Sequence, residues 1–183
     1  DIDLPGESSG ILREPSKWSG RSLPSIAMGQ EIAVTPIQMV TAMSVVANGG
    51  WLMTPYVVSS VLDSQGQAIL SKDPLPKRRP ISPETAGALT RILETAVETG
   101  TGKRAKLAEY RAAGKTGTAQ KFDQETGSYS SSRVIASFVG IAPVDQPRLT
   151  MLVGIDEPKI GNWGGEIAAP VFRKVAERVL PHL

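Results

Sequence analysis

Between Ile32 and Leu62 no residue carries a charge, and the punctuation of this stretch decides what it can be. Pro36, Gln38, Asn48-Gly49-Gly50 and Pro55 interrupt it, so it falls short of the roughly 20 apolar residues needed to cross a bilayer. Its centre, TPIQMVTAMSVVANGG, predicts a helix instead: Thr35 can cap, Pro36 suits the first turn, and Asn48-Gly49-Gly50 offers a left-handed exit. Ile37, Met39, Val40, Ala42, Met43, Val45, Val46 and Ala47 leave little polar face, which predicts cover on most sides.

A second helix is predicted from SPETAGALTRILETAVETG. Ser82 is placed to cap it, Pro83 and Glu84 suit its first turn, and Gly100 ends it. Leu89, Ile92, Leu93, Ala96 and Val97 recur at the spacing of one buried stripe. At the far end, GGEIAAPVFRKVAERVL carries Val171, Phe172, Val175, Ala176, Val179 and Leu180 at helical spacing, predicting a C-terminal helix packed on a sheet.

Strand patterns fill the space between. Residues 110–121, 133–142 and 148–156 read as three β segments, and their short connections favour an antiparallel meander. The polar stretch FDQETGSYSSS reads as a loop between the first two. Earlier, YVVSSVLDSQGQAIL predicts a surface hairpin turning at Asp63-Ser64-Gln65-Gly66. KDPLPKRRPISP, with four prolines and four basic residues, reads as a solvated linker. Residues 1–25, rich in Gly, Pro and Ser, read as irregular, with Trp18 as the main apolar anchor. Together these elements predict an α+β fold.

Composition narrows the function. The 183 residues are 40% hydrophobic and 21% charged, enough for one ordinary core. A net charge of +2, scattered basic residues and only three each of Trp, Tyr and Phe argue against nucleic acid as a partner. The absence of cysteine removes disulfides and thiolate metal sites. His182 is the only histidine and lies next to the end, so no His-based triad or metal cluster can be built. Asp63, Asp123 and Asp156 have no ligand-like spacing. Trp18, Trp51 and Trp163 are expected in or beside the core, with Trp163 also placed to border a cleft ahead of Gly164-Gly165.

The chemistry gathers in AAGKTGTAQ, residues 112–120. A phosphate loop would need a glycine five positions before Gly114, where Glu109 stands, and a helix after Lys115, where none is predicted. The second Gly-Lys pair, Gly102-Lys103, fails likewise because Val97 occupies the glycine position. Read as a strand, KTGT offers a cation at Lys115, hydroxyls at Thr116 and Thr118, and a bare backbone at Gly117. These are the parts that hold a peptide ending in a free carboxylate, with the strand edge open to β-augmentation.

Five blocks in order, DIDLPGE, AMGQEIAVTPIQMVTAMSVVANGG, ETGTGKRA leading into AAGKTGTAQK, ASFVGIAP and GGEIAAPVF, give the chain more than that short string. It resembles the transpeptidase domain of class B penicillin-binding proteins, most closely the division or sporulation type. The resemblance implies the penicillin-binding transpeptidase and serine β-lactamase-like fold, in incomplete form, with antiparallel strands and packing helices. It implies peptidoglycan cross-linking by serine acyl transfer on a D-Ala-D-Ala stem peptide, with β-lactams as mimics and no cofactor or metal. Lys115 would shape the local field and relay protons, Thr116 and Thr118 would bind the carboxylate, and the Thr118 backbone N–H would supply half of an oxyanion hole. The compartment implied is extracytoplasmic, with a membrane anchor upstream in the parent protein.

Two departures stand out. The chain contains neither Ser-x-x-Lys nor Ser-x-Asn, so it reads as residues 1–183 of the C-terminal portion of one transpeptidase domain, lacking the nucleophile and inactive alone. Glu31 occupies the place where the family usually has glycine after Gly-Gln. A non-catalytic β-lactam or peptide-binding relative, and a serine β-lactamase or carboxypeptidase, are the alternatives; the long VTPIQ…ANGG block favours the transpeptidase. An uncovered sheet face predicts self-association or a companion chain supplying the missing N-terminal half.

Overall fold

The computed structural model describes residues 2–125 and 127–183; Asp1, which opens the DIDLPGE block, Thr126 of the polar loop and the Ser131 side chain lie outside the described residues. In chain order the elements are β1 (Ile11–Leu12), α1 (Ser22–Ala27), β2 (Ile32–Ala33), α2 (Pro36–Ala47), β3 (Leu52–Met53), β4 (Ser60–Leu62), β5 (Ala68–Ser71) and β6 (Pro76–Arg78). They continue with α3 (Pro83–Glu98), β7 (Ala113–Asp123), β8 (Ser128–Ala142), β9 (Leu149–Asp156) and α4 (Gly164–Val179). Two units divide the chain, one comprising the residues up to Met39 with Thr54–Leu75, the other Val40–Met53 with Pro76–Leu183.

In the first unit the expected irregular stretch is more ordered than its Gly, Pro and Ser content suggested. β1 pairs antiparallel with β2, and a 3-10 turn at Pro15–Lys17 and α1 lie between them. Trp18 is half-buried and donates its indole N–H to the Arg13 carbonyl at 2.8 Å. Glu31 takes a φ of +57°, the left-handed conformation that glycine adopts without cost. Its carboxylate accepts from the Ser22 hydroxyl at 2.9 Å and pairs with Arg13. The hairpin forms as expected, β4 against β5, with the Asp63 carboxylate accepting the Gln65 and Gln67 backbone N–H groups. Asp3 ties the N-terminal segment to this hairpin through Val57 N–H at 2.7 Å, Val58 N–H at 3.3 Å and Lys72 Nζ at 2.7 Å.

The second unit is built on the antiparallel sheet β7-β8-β9. The meander is as expected, but β8 begins at Ser128, because its early residues pair with the far end of β7: Phe122 faces Tyr129, and their rings meet edge to face at 5.6 Å. The connecting loop is therefore much shorter than FDQETGSYSSS. β7 begins at Ala113, not near Tyr110. Alternation along β8 sends Phe138 and Ala142 into one cluster with Val97, Ala168, Phe172 and Ala176, which Ala112, just before β7, joins. Ala113, Val139 and Ile141 point into a second cluster with Met43, Val46, Leu93 and Leu152.

The helices correct several burial expectations. Ser82 caps α3 by accepting the Thr85 N–H at 3.2 Å. Its buried residues are Ala86 and Val97, whereas Ile92, though at the apolar spacing, is 64% exposed because the neighbours cover a narrower strip than the pattern. On α4, Phe172 and Ala176 are buried but Val171 and Val175 face outward. In α2 only Met43 and Val45 are buried, so its apolar circumference is not matched by cover on most sides. The expected linker carries β6, which pairs with β3; Arg79 next to it lies over the Trp51 ring at 5.2 Å and donates to the Gly49 carbonyl. Trp51 is accordingly a surface residue, 41% exposed.

Candidate active site

β7 carries the Lys-Thr-Gly-Thr stretch as continuous strand, in register Lys115 to Val139, Thr116 to Phe138, Gly117 to Ser137 and Thr118 to Ala136. This is the wrong geometry for a phosphate loop, which must curl its amides around a ligand. β8 covers one edge of β7, and among the described residues no strand covers the other. Lys115 is exposed and its Nζ donates back to the Thr116 carbonyl at 2.9 Å, with Thr116 Oγ1 at 3.5 Å.

The two threonines are half-buried and each is oriented by a group distant in sequence. Thr116 Oγ1 lies 2.9 Å from Thr101 Oγ1. Thr118 Oγ1 accepts the Gly164 backbone N–H at 3.3 Å, the first amide of α4. Each hydroxyl can still take part in a further hydrogen bond, since a hydroxyl offers one donor and two acceptor sites. The approach of α4 depends on bare backbone: a Cβ on Gly164 would stand 2.2 Å from the Ser137 carbonyl oxygen and 2.5 Å from that of Gly117. Gly165 is equally tight against the Thr101 carbonyl, at 2.3 Å. Gly117 has a packing reason of its own, for a Cβ there would meet Ser137 Oγ at 2.6 Å.

Beyond the threonines, Lys121 sits at a register shift in β7 and donates to Asp156 at 3.1 Å and to Glu157 at 2.7 Å. Glu157 first, then Asp156, hold its ammonium above the ordinary lysine range. Trp163, immediately before Gly164, is 65% exposed, which places it on the surface and not in the core. His182 is exposed, in a 3-10 turn at Leu180–His182. Among the described residues no group of three acidic, histidine or cysteine side chains is placed to hold a metal, and no helix is long and apolar enough to cross a membrane.

Lys115, Thr116, Gly117 and Thr118 thus occupy one strand with its edge available, and tertiary structure adds Thr101 and Gly164. Neither added residue had a predicted role. The signal for Gly164 was the Gly-Gly pair opening a helix pattern; for Thr101 nothing distinguished it from its loop neighbours.

An antiparallel sheet with packing helices, whose C-terminal helix begins against the Thr118 hydroxyl of an edge strand, is an α+β arrangement shared with solved penicillin-binding protein structures. The family model described as penicillin binding protein transpeptidase domain matches residues 1–177, and the chain belongs to that family. It is similar to stage V sporulation protein D of Bacillus subtilis, 40% identical over all of this chain and 28% of the relative. Penicillin-binding protein PbpB of Mycolicibacterium smegmatis is 35% identical over 98% of this chain and 29% of its own length. The chain therefore spans less than a third of these relatives. Among solved structures, penicillin binding protein 3 of Mycobacterium tuberculosis complexed with aztreonam matches with a TM-score of 0.88 and 30% identity, over 98% of this chain and 42% of that one.

Proposed function

We propose that these 183 residues form the carboxylate-binding wall of a serine D,D-transpeptidase that cross-links peptidoglycan outside the cytoplasm, in a parent protein anchored to the membrane. The observation that carries this reading is the open-edged β7 with Lys115, Thr116 and Thr118 side by side, both hydroxyls oriented from outside the strand. The attacking serine is not among these residues, which contain no Ser-x-x-Lys; we place it in the other portion of the same transpeptidase domain. Its Oγ would add to the penultimate D-Ala carbonyl carbon, the peptide bond would break, and the terminal D-Ala would leave with the proton. An amine from a neighbouring strand would then take the acyl group and release the serine.

In this scheme Thr116 and Thr118 hold the terminal carboxylate of the stem peptide or of a β-lactam. The Lys115 ammonium adds a favourable field and a proton relay. The Thr118 backbone N–H stabilises the oxyanion, a contribution worth about 3 kcal/mol in such sites, and replacing its side chain would not remove it. Fluorescent penicillin tests the reading in two ways. The protein carrying the serine should be labelled covalently, with labelling greatly reduced by Lys115→Ala, whereas the 183-residue chain alone should form no adduct. An adduct on the chain alone would refute the placement of the nucleophile. The apolar residues left exposed, among them Ile11, Leu12 and Val57, also support self-association of the isolated chain; a monomeric, well-ordered species in sedimentation would speak against it.

A further inference from the structure

β7 and β9 are not neighbours, since β8 lies between them. No ladder of backbone hydrogen bonds can therefore connect the exit of β9 to the Lys-Thr-Gly strand. One side chain makes that connection. Lys121 reaches the last residue of β9, Asp156, through both carboxylate oxygens at 3.1 and 3.2 Å, and the next residue, Glu157, at 2.7 Å. Glu157 turns the chain there with a φ of +45°, its N–H donating to the Val134 carbonyl at 2.9 Å.

From Glu157 the chain runs through residues 158–163 to Gly164, whose N–H meets Thr118. Both ends of this loop are thus attached to one strand, at Lys121 and at Thr118, three positions apart. Hydrophobic burial does little to fix the span between, because Ile160 is 87% exposed and Trp163 is 65% exposed. Polar ties have to hold it.

We propose that Lys121 is a positioning residue for Thr118: by clasping Asp156 and Glu157 it fixes the loop that delivers the Gly164 N–H to the Thr118 hydroxyl. The consequence for acyl transfer rests on the reading given under Proposed function; the consequence for the loop does not. Exposed ion pairs add little to global stability, so the effect belongs to the loop and not to the fold. The ammonium is well suited to the task because one cation satisfies two carboxylates that would otherwise repel each other at adjacent positions.

Amide hydrogen exchange of Lys121→Met against the native chain tests the clasp. Exchange at Gly164 and through residues 157–163 is expected to rise about tenfold, a local opening, while α3 amides keep their rates and Lys121→Arg restores the native pattern. Rates at Gly164 within about twofold of native, or an equal rise in α3, overturn the proposal. Should Lys121→Met not fold, Asp156→Asn with Glu157→Gln removes the same attraction and is judged by the same two outcomes. In the serine-bearing protein, the variant should weaken non-covalent penicillin binding by about 3- to 10-fold, as for one lost hydrogen bond, with little change in the acylation step and rescue by Lys121→Arg. If the native protein is not labelled at all, the transferase reading fails while the exchange result still decides the clasp.

Discussion

At the scale of single residues, the side chains that matter most here are oriented by partners far away in sequence. Thr118 depends on Gly164, Thr116 on Thr101, and Lys121 on Asp156 and Glu157. Asp3 shows the same logic in the first unit. A hydrogen bond from Lys72 first, then the Val57 N–H, bring its carboxyl down from 3.8 to about 2. A carboxyl depressed on folding contributes stability that is fully present above its unfolded pKa and is lost as pH falls through the folded value. The Asp3 contribution therefore persists above about pH 4 and disappears towards pH 2. In a carboxyl-carbon NMR titration Asp3 should show its midpoint near 2; in Lys72→Met the midpoint should move up. A midpoint near 4 in the native chain would contradict the pairing of Asp3 with Lys72 and the Val57 N–H. Glu31 was legible as an oddity in the sequence, but not that it would hold a left-handed backbone while its carboxylate accepts from Ser22.

Among the elements, those governed by local chemistry match their predicted bounds best. α3 starts where Ser82, Pro83 and Glu84 place it, and the cap bond to Thr85 N–H is formed. Ser82→Ala should cost about 1 kcal/mol, read as a lower denaturation midpoint with an unchanged slope; no change would mean that the cap is redundant. The hairpin at Asp63-Gly66 was equally legible, because an aspartate can close the turn by itself. Periodicity served less well for faces. Ile92, Val171 and Val175 fit the apolar spacing yet are exposed, since spacing identifies a stripe without saying how wide a strip the neighbours cover. β6 was missed because one proline and two basic residues, in a segment rich in both, hide a strand whose pairing partner, β3, lies more than twenty residues earlier.

For the whole molecule, Phe138 marks the centre of the second unit. It is fully buried on the middle strand and meets Phe172 of α4 edge to face at 4.9 Å. Phe138→Ala should destabilise the chain by about 3–5 kcal/mol, measured by chemical denaturation. A loss below about 1 kcal/mol would mean that this core does not hold sheet and helix together. By itself the sequence determined the α+β class, the meander, the C-terminal helix and the strand that carries Lys115 to Thr118, because capping, turn chemistry and alternation act over a few residues. It also excluded a phosphate loop, through Glu109. Only tertiary structure decided which edge of that strand stays open, that Thr101 and Gly164 orient its hydroxyls, and that Lys121 ties it to the exit of β9. Those relations depend on residues 15 to 46 positions apart being brought within hydrogen-bonding distance, which no local pattern encodes.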